Sequence, residues 1–306
     1  MAPSLYTTKV TPEASTQTTN IEHDCQRIAQ LCKQLEFFAN QQVQHIQPLS
    51  HGQSNKSYRI STDRAEFVLR CYPPKQYRCR QQELTIQHAA AADDLAPAPL
   101  CLNNHLQIMI SDFIDIGEPF NYRQHDSKQL IQHIVKLHQL NVLTSVLQLE
   151  DYLQFQLSLV ADKNLVDIVL FNQLQQAAKQ LEALPQDTVL CHLDLHADNL
   201  LWAEQRLWLL DFEYSQQADS SLDLAAIIMH YQLDVKEQQQ LLVDYIQLRR
   251  QARLHDSLLE TLQLKIPLAK QLYSGFCWLW YVAIPGYETE AKHWQQQLQH
   301  LLAMPS

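Results

Sequence analysis

The chain has 306 residues, 46% of them hydrophobic and 18% charged, with a net charge of −10. Those numbers exclude a disordered chain and leave room for one large domain or two lobes with their own cores. With 23 Lys and Arg against 33 Asp and Glu, nucleic acid is excluded as the expected partner, because binding its phosphates needs a basic face. Seven cysteines, an odd number with no Cys-x-x-Cys pair, read as reduced thiols of a cytoplasmic protein. The N-terminus lacks the apolar core of a signal peptide. The longest apolar run, 276–284, is too short to span a bilayer and is closed by Pro285.

Residues 1–20, rich in Thr, Ser and Gln, are expected to form a flexible tail. From 21 to about 38, Ile28, Leu31, Cys32 and Leu35 recur at helical spacing. Residues 57–61 alternate in polarity, and 66–72 form a β-rich run stopped by Pro73 and Pro74, so both read as strands. Residues 77–92 read as a helix that ends in the turn after Leu95. A further strand covers 105–116, interrupted at Ser111 and Asp112, and leads to a connector at Gly117, Glu118 and Pro119.

Beyond Pro119 the pattern turns helical. Asp126 and Ser127 can cap a helix carrying Leu130, Ile131, Ile134, Leu137 and Leu140. After a small hairpin, helices are expected at roughly 222–232, 236–253, 257–283 and 290–303. Strands first and helices afterwards give an α+β plan with two lobes. The expected division is a tail at 1–20, an N-lobe at 21–115 and a C-lobe at 116–306.

Residues 188–223 carry the chemistry. Two short apolar runs bracket a polar loop that holds His192, Asp194 and Asn199, and Asp211 ends the second run. Phosphoryl transfer from ATP needs that set. One carboxylate, Asp194, orients the attacking hydroxyl; an amide and a second carboxylate, Asn199 and Asp211, hold Mg2+ on the phosphates. Oxygen ligands suit that hard cation. For Asp194 the plainer reading is a loop-capping aspartate. His196 and Asp198 complete a His-x-Asp-x-His-x-Asp alternation that could suggest a metallohydrolase, but that reading leaves Asp211 and Arg70 unexplained.

His192-Leu-Asp194, four residues, then Asn199, followed by Asp211, Phe212 and Glu213, resembles the catalytic and metal loops of the aminoglycoside phosphotransferase/choline kinase superfamily. Residues 50–55, Ser-His-Gly-Gln-Ser-Asn, resemble its phosphate-covering turn. Glu66 to Arg70 resembles its strand bearing the phosphate-binding cation. Lys136 to Leu140 and Ser221 to Ala225 fit it as well. Asp211 to Ser215 is similar to the choline kinase form of the metal loop, which points to the choline kinase and bacterial thiamine kinase branch. The resemblance covers roughly 45–285.

It implies a protein-kinase-like fold, with a small β-rich N-lobe and a larger, mostly helical C-lobe, and ATP and Mg2+ as cofactors. The acceptor would be a small alcohol, cationic in this branch: choline, ethanolamine or thiamine. An aminoglycoside or sugar kinase is the alternative, and a non-catalytic pseudokinase the rival from another class. Gln53, Ser54 and Asn55 would cradle phosphates with backbone N–H groups; an ordinary hairpin turn is the plainer reading. Arg70 would bind phosphate oxygens through its fork and pair with Glu83; two surface salt bridges are the alternative. Ile110, Asp112 and Phe113 would form the adenine-contacting connector, or simply a strand end. His192 would support the loop, and Asp223 would brace it or complement a helix dipole. Glu213 and Tyr214, directly after the metal loop, and Trp280, on a helix similar to the acceptor wall of choline kinases, would bind the acceptor. The aromatic cluster 273–281 also fits plain core packing.

Overall fold

Residues that alternate in polarity in the first third of the chain pair into one antiparallel sheet. The computed structural model describes residues 14–49, 55–73, 80–115, 117–251 and 261–303. They fall into two units, Met1–Tyr77 with Ala98–Phe113, and Arg78–Pro97 with Ile114–Ser306. The fold is the mixed α+β, protein-kinase-like one, with a β-sheet N-terminal region and a helical C-terminal region.

The first unit contains α1 (Ala14–Gln34) and five strands: β1 (Val43–Leu49), β2 (Lys56–Thr62), β3 (Glu66–Cys71), β4 (Pro99–Asn103) and β5 (Ile108–Asp112). Their order is β1-β2-β3-β5-β4. Alternation sends Tyr58 and Ile60 of β2, and Phe67 and Leu69 of β3, into a core shared with Ile28, Cys32 and Leu35 of α1. Arg70, next to Leu69, therefore projects from the opposite face of β3, in register with Ser57 and Met109. Pro48 lies on β1, at the sheet edge, where a missing N–H costs no ladder bond. Helix α1 begins at Ala14, earlier than the apolar spacing suggests.

The second unit opens with α2 (Arg80–Ala92), which buries Ile86 and Ala90 in that unit's core. After β6 (Glu118–Pro119) come α3 (Ser127–Gln139), α4 (Leu149–Leu159) and α5 (Ile168–Ala183). Asp126 caps α3 by accepting from Lys128 N at 3.0 Å, and Asp167 caps α5 through Val169 N and Leu170 N. Four short strands follow: β7 (Thr188–Cys191), β8 (Leu200–Ala203), β9 (Arg206–Leu209) and β10 (Gln216–Asp219). β8 and β9 form a hairpin; β7 pairs antiparallel with β10. The chain ends in α6 (Ser221–His230), α7 (Val235–Gln251), α8 (Leu262–Val282) and α9 (Glu288–Ala303).

α6 is buried on all sides, from Ser221 through Ile228, as its continuous apolar run requires. No helix among the described residues is long and apolar enough to cross a membrane.

α8 approaches α5 closely at Gly275. A Cβ there would collide with both methyl groups of Leu174. Gly275→Ala is therefore expected to destabilise the protein by about 1–3 kcal/mol, the usual cost of overpacking. Urea denaturation should show a lower midpoint at unchanged slope; an unchanged midpoint would mean that the two helices have room to spare.

Candidate active site

The site is built on the two short strand pairs of the second unit. β7 delivers His192, Leu193 and Asp194. A 3-10 turn, Ala197–Asn199, then leads into β8. β9 runs back to Leu210 and Asp211. Pairing of Leu200 with Leu209 closes this hairpin, and Leu210 N donates to Asn199 O at 2.9 Å. Asn199 and Asp211 thus flank the open end of the hairpin, twelve residues apart in sequence.

Asn199 Nδ2 donates to Asp194 Oδ2 at 2.7 Å and to Asp194 O at 3.0 Å. With its amino end committed to Asp194, its Oδ1 is the end left for a cation; it accepts from no described residue. Asp211 has φ +63° and ψ +75°, a left-handed backbone that holds the residue apart from the strand it terminates. Asparagine oxygen and aspartate carboxylate are hard donors of the kind Mg2+ takes, and two protein groups suffice for an ion that keeps several waters.

Asp194 has 26% of its side chain exposed. Burial raises its pKa, but the hydrogen bond and charge of His196, with His192 and His230 nearby, outweigh that and hold the carboxyl below its ordinary value. His196 Nε2 lies 3.5 Å from Asp194 Oδ2. Burial lowers the pKa of His196, yet Asp194, Asp198 and Asp211 together raise it. His192 is fully buried and shifted down by that burial. Its Nε2 donates to Leu210 O at 2.9 Å, tying the turn after β7 to the end of β9. His192, Asp194, His196 and Asp198 do not converge as a metal cluster among the described residues.

Behind the loop lies Asp223, fully buried at the start of α6. Its Oδ2 accepts from His192 N at 2.8 Å and from His138 Nε2 at 3.1 Å; its Oδ1 accepts from Leu193 N at 2.8 Å. Leu193 has φ +66°, unusual for a bulky residue. The network continues inward. His138 Nδ1 meets Tyr245 OH at 2.7 Å, Arg249 donates to Tyr245 OH at 3.2 Å and to Asp187 at 2.8 Å, and Ser220 Oγ donates to Asp187 at 2.7 Å. Asp219 accepts from Asp187 N at 2.9 Å, from Ser221 Oγ at 2.6 Å and from Lys265 Nζ at 2.5 Å. His138, Cys191 and Asp223 lie within metal-ligand spacing. However, His138 and Asp223 are bonded to each other, and burial pushes the Cys191 thiol well up and keeps it protonated.

Sequence reasoning passed over His230 and Trp294, and it read Tyr273 only as a member of an ambiguous cluster. His230 ends α6. Its ring lies 5.4 Å from that of His196, 5.3 Å from Trp294 and 5.5 Å from Tyr273, and its Nε2 meets Tyr273 OH at 2.7 Å. The charge of Asp194 reaches both Tyr273 and Cys277. The signal for them was spacing: 273 and 277 share one face of α8, and 230 closes an apolar helix.

The other expected residues are placed as follows. Gln53 and Ser54 lie outside the described residues. Asn55 is buried at the start of β2. Glu83 is buried and accepts from Arg80 at 2.8 Å. Ile110 packs in the core of the first unit, Asp112 ends β5 with its pKa raised by burial, and Phe113 lies under the Arg59 guanidinium at 4.3 Å. Tyr214 is half-buried. Glu213 is buried, with its Oε2 3.3 Å from Arg80 Nη1. Trp280 is half-buried among rings, 4.9 Å from Tyr281 and 6.4 Å from Tyr287.

A fold of this type with an aspartate, an asparagine and a second aspartate around one hairpin defines a kinase-like phosphotransferase. The model of the phosphotransferase enzyme family matches residues 45–258. The chain belongs to that family and is a small-molecule phosphotransferase. No curated protein sequence matches the chain. Among solved structures it is similar to choline kinase LicA from Streptococcus pneumoniae: 18% identity, 90% of this chain and 99% of that one covered, TM-score 0.76. It is similar also to a choline/ethanolamine kinase family protein from Mesorhizobium loti, at 16% identity, with 92% and 95% covered and TM-score 0.74. Amicoumacin kinase hAmiN, solved with AMP-PNP, Ca2+ and Ami, shares 12% identity over 93% of this chain and 96% of that one, with TM-score 0.68.

His230 supplies a pH test of this packing. Burial, with His196 close by, lowers its pKa from 6.5 to about 3. Between those values the unfolded chain binds a proton that the native protein refuses. Stability therefore falls as pH falls, by about 1.4 kcal/mol per pH unit for each such group. His133 and His192 are shifted in the same direction. In urea titrations between pH 6 and pH 4, His230→Gln should flatten the slope by close to one proton; an unchanged slope would show that His230 titrates as an exposed histidine.

Proposed function

We propose that this chain is an ATP- and Mg2+-dependent kinase that phosphorylates the hydroxyl of a small cationic metabolite, of the choline, ethanolamine or thiamine kind. The observation that carries the reading is the arrangement of Asp194, Asn199 and Asp211. Asp194 is held ionised and is within reach of solvent, where it can accept the proton of an attacking hydroxyl. Asn199 turns its nitrogen to Asp194 and keeps its oxygen for a cation. Bound Mg2+ would neutralise the charge that develops on the transferred phosphoryl group. Arg70, on β3, is the cation assigned to the nucleotide phosphates, with backbone around Asn55 covering them.

Acceptor recognition rests on ring faces. The rings of His230, Tyr273 and Trp294 pack against one another beside His196, and Trp280, Tyr281 and Tyr287 form a second, half-buried group. A desolvated cation gains about 2 kcal/mol or more over such a face. The kinship with choline and ethanolamine kinases in fold supports this class.

Asp194→Asn should keep the fold and nucleotide binding yet lose about 10²–10⁴ in turnover, the contribution expected of a general base. Near-wild-type rates with every accepted acceptor would remove Asp194 from that role.

Choline, ethanolamine, thiamine, amino sugars and aminoglycosides should be compared in one kinetic series with Mg·ATP. Cationic alcohols should give the highest kcat/KM, and Trp280→Ala should raise the acceptor KM about 5- to 30-fold without changing that for ATP. Preference for neutral sugars, or collapse of the fold on removing Trp280, would transfer the assignment to the sugar and aminoglycoside kinases.

A further inference from the structure

We propose that His196 is a further catalytic residue of this site: its Nε2–H donates to a non-bridging oxygen of the phosphoryl group during transfer. The proposal rests on the reading of Asp194 as the group that takes the acceptor's hydroxyl proton.

The backbone fixes which ring nitrogen carries hydrogen. His196 precedes the short turn Ala197–Asn199 and caps it, with Asp198 N donating to His196 Nδ1 at 3.3 Å. A ring nitrogen that accepts has no hydrogen, so the neutral imidazole carries its hydrogen on Nε2. Double protonation would add a hydrogen at Nδ1 and leave Nε2–H in place. Nε2 is therefore a donor in both states.

That donor has no strong acceptor among the described residues. Asn199 Nδ2 lies 3.1 Å from it, but both amide hydrogens go to Asp194, at 2.7 Å to Oδ2 and 3.0 Å to the backbone O. The contact between the two nitrogens is donor against donor. Asp194 Oδ2 lies 3.5 Å from Nε2, beyond the roughly 2.7–3.2 Å of a well-formed N–H···O bond. Asp198 Oδ2 is 3.8 Å away and on the side of Nδ1. The ring of His230, at 5.4 Å, is tilted against the imidazole. The His196 side chain is 28% exposed. A half-buried N–H held this loosely gains a full bond when an oxygen enters beside Asp194.

The reaction brings such an oxygen. As the acceptor's oxygen bonds to the γ-phosphorus of ATP, the bond from that phosphorus to the bridging oxygen breaks. Its electron pair leaves with ADP, and the hydroxyl proton passes to Asp194. His196 keeps its own proton throughout. The phosphorus must approach the hydroxyl oxygen to about 3–3.5 Å, while that oxygen is hydrogen-bonded to Asp194. His196 Nε2 borders the Asp194 carboxylate on one side and the amide of Asn199, whose oxygen is assigned to the cation, on the other. The oxygens of the transferred group belong between those two. A donor aimed at charge that develops there acts on the transition state more than on the bound substrate. The hydroxyl oxygen is the poorer target, because donation to it would weaken its attack.

Two variants separate donation from capping. His196→Asn keeps a short oxygen that can accept from Asp198 N, as asparagine does at helix starts, but stops short of the Nε2 position. His196→Gln reaches that position with an amide N–H and gives up the cap. Single-turnover rates are measured with Mg·ATP and the best acceptor of the series above, or with water where no alcohol is accepted. Calorimetry of Mn2+·ADP and the acceptor KM report on the rest of the site. His196→Asn should slow transfer about 10²-fold or more, the usual loss for one transition-state donor, with Mn2+·ADP affinity and acceptor KM within threefold of wild type. His196→Gln should be at least tenfold faster than His196→Asn. A His196→Asn rate within threefold of wild type overturns the proposal. So does a His196→Gln that binds Mn2+·ADP normally and is no faster than His196→Asn; where it does not bind Mn2+·ADP, His196→Asn decides alone. A loss confined to the acceptor KM overturns it by moving the donor to the acceptor. An equal loss in Mn2+·ADP affinity overturns it by leaving capping as the role of the ring. Asp194→Asn distinguishes this failure from that of the underlying reading. If Asp194→Asn is slow and His196→Asn is not, His196 alone is displaced. If Asp194→Asn runs at the wild-type rate, the base assignment fails and the proposal with it.

Discussion

Asp223 accepts from two successive backbone N–H groups, those of His192 and Leu193, and from the imidazole of His138. These bonds join α3, α6 and the loop bearing Asp194 at one buried point. The two captured N–H groups belong to the residues where the chain leaves β7 and enters the left-handed turn at Leu193. A leucine does not choose that conformation, and hydrogen bonds to a charged group are stronger than neutral ones. The carboxylate thus pins the strained step that aims Asp194 outward. Removal of its charge would leave two buried N–H groups unsatisfied and release the turn.

That anchor is itself held by a polar interior of unusual extent. Lys265, Asp219, Asp187 and Arg249 form two buried ion pairs linked through Ser220 and the Asp187 N–H. Buried pairs of this kind are seldom net stabilising compared with apolar packing of the same volume, and they are costly to break from one side. Their contribution here is geometric. Asp219 and Thr188 are opposite each other in the β7–β10 pair, so the network fixes the far ends of both strands whose near ends present His192 and Ser215. α7 and α8, which supply Arg249 and Lys265, are thereby tied to the catalytic loop. α8 also carries Tyr273 and Cys277 on the side of Asp194. One helix links the rigid base of the loop to the wall beside its working end.

Much of this was legible in the sequence, for identifiable reasons. The apolar runs around 188–191 and 200–209 enclose polar residues at fixed offsets, and a hairpin forces such residues together whatever surrounds it. The alternation in 57–61 and 66–72 announced β2 and β3, and Asp126 announced the cap of α3. The missed elements lacked such marks. β1 carries Pro48 and no buried residue, which makes it a poor strand by pattern and an acceptable one at a sheet edge. α4 and α5 went unmarked although Asp167 caps the second of them, because exposed Leu159, Leu165, Ile168 and Val169 blur the amphipathic stripe. His230, Tyr273 and Trp294 come from three helices and meet only through packing, and no local pattern relates them.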